Sequence, residues 1–157
     1  MSNWVQLDPG TDLFDSGDEW LSPSLGTVDP AHAPAVSALD RVVREAHPSF
    51  DVAIKYHMLT YALEGDWRTW VCAVQATRKG LHLRFLFGVL LDDPLHVLRP
   101  GTSVLTTWDL DPRADAVGAN AAALSAYVAE AVRRYPEYKA RTPEILAAAR
   151  AAGHRSG

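Results

Sequence analysis

The chain has 157 residues, the length of one ordinary domain, so separate cofactor and substrate domains are not expected. Its formal charge is -4, which points neither to nucleic acid nor to an anionic membrane, and no run of 18 apolar residues offers a membrane span. Of the apolar residues, 24 are alanine, and 15 of these fall between Ala114 and Ala152, so much of the 48% hydrophobic content is helix-filling alanine.

The first 40 residues hold seven acids (Asp8, Asp12, Asp15, Asp18, Glu19, Asp29, Asp40) and no Lys or Arg. A leader over 1–28 of this composition, with its apolar residues placed singly, cannot build a core and is expected to be loose or docked on the body through Trp4 and Trp20. The body is expected to be a single domain over 29–157, of which 136–157 form a C-terminal helical extension. The opening residues lack the basic and apolar stretches of a secretory signal, which makes the cytoplasm the expected compartment. Cys72, the only cysteine, lies in the apolar run Trp70-Val71-Cys72-Ala73-Val74 and reads as a buried structural thiol.

A helix is expected from Pro30 or Pro34 to Ala46, with Val36, Leu39, Val43 and Ala46 on its buried stripe. Asp40–Arg44 and Arg41–Glu45 then form i,i+4 pairs on an exposed face, and His47-Pro48 ends the helix. From Asp51 to Leu91 the pattern is sheet. Leu59, Tyr61 and Leu63 alternate before the turn Glu64-Gly65-Asp66, and Trp70, Cys72 and Val74 continue on a second strand. After the turn Thr77-Arg78-Lys79-Gly80, Leu81, Leu83, Phe85 and Phe87 share one face, while His82, Arg84 and Leu86 share the other. Asp93-Pro94 is expected to start a short helix through Leu98. Val104 to Leu110 reads as a further strand. Val117, Ala121, Leu124, Val128 and Val132 mark an amphipathic helix ending before Pro136, and Thr142-Pro143-Glu144 restarts one. The expected fold class is therefore α+β, an antiparallel meander of four to five strands with helices packed on one face.

Several segments resemble, in order, those of the YdhG-like proteins, domain-of-unknown-function family 1801. Ala53-Ile54-Lys55-Tyr56-His57-Met58-Leu59-Thr60-Tyr61 is similar to that family's "aikwgmpvy" segment. Arg78-Lys79-Gly80-Leu81-His82-Leu83-Arg84-Phe85 is similar to its "kkhv-l-f" strand, Gly88 to Pro94 to its "Ga-L-dp" turn, and Leu98-Arg99-Pro100-Gly101-Thr102 stands where it has "lleGtGk". The likeness covers roughly residues 35 to 133. Here Ser103-Val104 replaces the second glycine and lysine of "GtGk", and His57 replaces a glycine. One branch of the family is frataxin-like and has been treated as an intracellular iron chaperone. The resemblance thus implies iron as a cofactor or cargo, although the acidic ridge of frataxin-type helices is replaced here by Asp40 and Glu45 paired with arginines.

None of the six histidines is spaced as a metal-ligand motif, and hydrolase, kinase and dehydrogenase signatures are absent, so no catalytic or metal residue is assigned. The candidate ligand-binding residues are His82 and Arg84 on the outer face of the meander, joined by Lys55, His57 and Tyr61 from the preceding segment. Cations beside aromatic rings can hold a carboxylate or phosphate together with an apolar body. Alternation alone also puts polar residues on the solvent face of a half-exposed strand. The expected function is a small binding domain for an anionic molecule or a protein partner. The alternatives are iron binding and pairing of two copies across a two-fold axis; neither membrane nor nucleic acid is expected as a partner.

Overall fold

The computed structural model describes residues 5–7, 32–55, 58–77 and 79–152. Strand β1 (Val5–Leu7) is followed by helix α1 (Ala33–Ala46) and by β2 (Asp51–Lys55), β3 (Met58–Ala62), β4 (Cys72–Thr77) and β5 (Gly80–Phe85). A single 3₁₀ turn (Gly88–Leu90) leads to β6 (Leu98–Pro100), β7 (Thr106–Leu110), α2 (Ala114–Ala119) and α3 (Ala121–Ala151). The strands form one sheet in the order β1-β2-β3-β4-β5-β7-β6, antiparallel throughout. The class is α+β, as expected. The sheet has seven strands, and the extra ones are the three-residue strands at its two edges.

Helices α1 and α3 pack against each other and cover one face of the sheet. On that face Val52, Ile54, Leu59, Tyr61, Val74, Leu81, Leu83, Phe85 and Trp108 meet Leu39 and Val43 of α1 and Leu124, Val128 and Ala131 of α3. Complete burial of each aliphatic or Phe side chain contributes about 1.5–3 kcal/mol, so this layer is the main source of stability. Val36, Leu39 and Val43 form the buried stripe of α1, and Cys72 is buried, its thiol pushed up by desolvation.

Four local expectations are corrected. Trp70 does not share a face with Cys72: the amide of Val71 bonds to the Tyr61 carbonyl (2.9 Å) while Cys72 is the register partner of Tyr61. Two residues thus oppose one, a bulge that shifts the alternation and sends Trp70 to the other face, against Met58, Ala62 and Ala73. The helix expected from Asp93 to Leu98 is instead a loop that runs into β6 at Leu98. The Asp93 carboxylate accepts the amides of Val97 (2.8 Å) and Leu98 (3.1 Å) and the hydroxyl of Tyr127 (2.7 Å), offering the backbone an alternative to helical bonds. Asp93 and His96 take positive φ there (49° and 55°).

Pro136 does not end α3. Tyr135 and Tyr138, on either side of it, pack on Phe87 (ring centroids 6.1 and 4.8 Å apart), and Tyr135 also donates to Asp66 (3.0 Å). This packing carries the helix through the missing amide donor. The break comes at Arg141, whose φ/ψ of -125°/25° is non-helical, close to the expected restart at Thr142-Pro143. Finally, Asp40 is not on an exposed face. It is buried and accepts hydrogen bonds from Tyr61 Oη (2.5 Å) and Arg44 Nε (2.9 Å).

Candidate functional site

The second face of the sheet carries no helix among the described residues, yet its centre is closed. Ala53, Thr60 and Ala73 are 0% exposed, and Met58, Ala62, Trp70 and Ala73 form a small apolar cluster flanked by Trp67, Leu86 and Leu105. The polar side chains gather beside this cluster, on β4, β5, β7 and β6. Register dictates which ones meet, because directly paired residues of antiparallel strands share a face. His82 lies between Gln75 of β4 and Asp109 of β7. Arg84 is paired with Thr107, whose other partner is Arg99, so the two arginines flank one buried threonine.

His82 and Arg84 project to the same side, as the alternation requires, but they differ in state. His82 is only 6% exposed and both its ring nitrogens are engaged: Nε2 lies 2.7 Å from Thr77 Oγ1 and Nδ1 lies 2.8 Å from Asp109 Oδ1. Asp109 is gripped from its other side by Arg99, with Nε at 2.6 Å from Oδ2 and Nη2 at 2.9 Å from Oδ1. The Arg99 hydrogen bonds, helped by His82, depress the Asp109 pKa to about 2, so it is a carboxylate at any ordinary pH. The expected role of His82 as a free gripping group is therefore corrected, since its hydrogen-bonding capacity is used within the protein.

Arg84 is half-buried. No hydrogen bond or ion pair joins its guanidinium to any other described residue, and its Nε is a buried donor without a partner. Burial, with Arg99 nearby, lowers its pKa, while Asp109 opposes the shift. A buried unpaired guanidinium nitrogen is costly, because it has lost water and gained nothing in exchange.

The other expected site residues are not brought together with these two. Tyr61 is corrected: it is 0% exposed on the helix-covered face, where its hydroxyl donates to Asp40, with burial pushing its pKa well up. Its place in the alternation Leu59-Tyr61 on β3 makes this unavoidable. Lys55 is half-buried on the second face, paired with Met58, but β3 and β4 separate β2 from β5, roughly 14 Å at ordinary strand spacing. His57 lies outside the described residues, as do Trp4, Trp20 and the leader acids.

Sequence reasoning missed Thr77, Arg99, Thr107 and Asp109. Asp109, set between the core residues Trp108 and Leu110, could be assigned to the polar face from alternation alone. Its meeting with His82 could not, because β7 enters the sheet between β5 and β6 out of chain order. Among the described residues, no group of three or more His, Cys, Asp or Glu side chains could hold a metal ion, and no helix is long and apolar enough to cross a membrane. No family model, curated protein or solved structure matches the chain.

Proposed function

We propose that the protein is a small binding domain of the YdhG-like type whose second sheet face takes a small carboxylate or phosphate between Arg84 and Arg99. The observation that carries this reading is the half-buried Arg84 guanidinium, whose Nε lacks a partner beside a second arginine. An anion at the accessible end of the guanidinium supplies acceptors for its terminal nitrogens, which bond to no described residue, and the planar fork of donors suits the two oxygens of a carboxylate or phosphate. Arg99 is held in place by Asp109 and adds positive potential from the far side of Thr107. Isothermal titration of inorganic phosphate and of succinate into the full chain tests the reading. Binding should weaken at least about tenfold in Arg84→Ala, in keeping with the loss of a charge-assisted hydrogen bond. Equal affinity in the parent and the variant, or no binding to either, removes the proposal.

A further inference from the structure

We propose that Thr77, His82 and Asp109 form a hydroxyl–imidazole–carboxylate relay that makes Thr77 Oγ1 an acceptor of acyl groups, giving the second face an esterase-like activity. Three residues from three strands meet in series: Thr77 at the end of β4, His82 in β5 and Asp109 in β7. The distances are 2.7 Å from Thr77 Oγ1 to Nε2 and 2.8 Å from Nδ1 to Asp109 Oδ1. A nucleophile in hydrogen-bond reach of a base, with that base oriented by a third group, is the arrangement that activates a hydroxyl.

The protons can be placed. Asp109, with a pKa of about 2, only accepts, so Nδ1 carries a hydrogen; in the tautomer with one ring hydrogen this leaves Nε2 as the acceptor. Thr77 Oγ1 already accepts the Lys79 amide (3.1 Å), which leaves its own hydrogen to point at Nε2. Arg99 holds both oxygens of Asp109, so the carboxylate that orients the ring is itself fixed. Burial keeps His82 in place, whereas Thr77 is only half-buried. Its register partner is Gly80, which has no side chain to screen the hydroxyl.

In the forward step Thr77 Oγ1 bonds to the carbonyl carbon of an ester while its proton passes to His82 Nε2. The ester C–O bond then breaks, and the proton leaves with the departing alcohol. Water attacks the acyl-threonine, gives its proton through the same imidazole, and releases the acid with Thr77 restored. Esters that also bear a carboxylate or phosphate are the favoured class, because Arg84 lies on the same face. Thr77 and the Arg84 partner Ala73 are four residues apart on β4, or about 14 Å along the strand. This preference rests on the binding reading above; the relay itself does not.

The test uses the full chain and p-nitrophenyl acetate, a neutral activated ester that does not need Arg84. The expected result is release of p-nitrophenolate with one acetyl group mapped to Thr77 by peptide mass spectrometry. Thr77→Val should abolish that adduct and Thr77→Ser should keep it. His82→Gln should slow acylation about 100-fold. Asp109→Asn should slow it while Asp109→Glu restores part of the rate, a pattern that a merely structural carboxylate would not produce. Far-ultraviolet circular dichroism identifies any variant that fails to fold, and the Thr77→Val and Thr77→Ser pair then decides alone. Acetylation confined to lysines or the N-terminus, or a Thr77 adduct that forms as fast in folded His82→Gln as in the parent, overturns the proposal. Failure of phosphate and succinate to bind while acetyl-Thr77 forms would overturn only the Arg84 reading.

Discussion

Strand β5 presents Leu81, Leu83 and Phe85 to the helices and His82 and Arg84 to the opposite side, so neighbouring residues do different work. On the helix side the side chains are mostly apolar; Tyr61 donates to Asp40, and Thr106, the register partner of Phe85, is buried with its hydroxyl oxygen unpaired. The second side instead combines small side chains (Ala53, Thr60, Ala73) with a polar series in which Thr77, His82, Asp109 and Arg99 are satisfied and Arg84 Nε is not. The comparison separates an apolar layer packed under two helices from a layer of small and charged side chains that includes an unpaired guanidinium nitrogen.

The sharpest way to break this division is to truncate adjacent residues of β5. Leu83→Ala should cost about 2–5 kcal/mol, since it leaves a cavity under both helices. Arg84→Ala should change stability by less than about 1 kcal/mol, because it gives up no hydrogen bond or ion pair to a described residue. Urea denaturation with an unchanged slope measures both, and equal losses at the two positions would show that the faces share the stabilising work. A smaller effect is expected from Tyr61→Phe, which takes one donor from the buried Asp40 while leaving Arg44 in place. The cost should be about 1–3 kcal/mol by the same measurement.

The smallest effect concerns Asp109. Its folded pKa, about 2, lies below the roughly 3.9 of an unfolded chain, so its contribution is present above that unfolded value and is lost as the pH falls toward 2. Because the Asp109 side chain is 47% exposed, this contribution should stay within about 1 kcal/mol. Carboxyl-carbon NMR should give a midpoint near 2, and Arg99→Ala should move it up toward the ordinary carboxylate range.

The layer that holds the fold was largely legible in the sequence, because hydrophobic periodicity reports directly which side chains leave water. The stripe of α1, the alternation of β5 and the buried Cys72 all follow from it. What escaped depends on contacts between distant segments. The Val71–Cys72 bulge is set by pairing with Tyr61, and the survival of α3 through Pro136 by two tyrosines on Phe87. In the Asp93 loop, carboxylate bonds outcompete a helix signal. The site was legible only in part. Alternation put His82 and Arg84 on one side, but the partners that occupy His82 arrive from a strand end and from β7.

The rim of the sheet at β6 bears on how copies of this protein meet one another. That strand is three residues long and ends in Pro100, whose ring nitrogen carries no hydrogen to donate. A foreign strand laid alongside would find too few backbone groups to zip onto, so this border resists runaway cross-β growth. Strand-to-strand self-association is thereby disfavoured at β6.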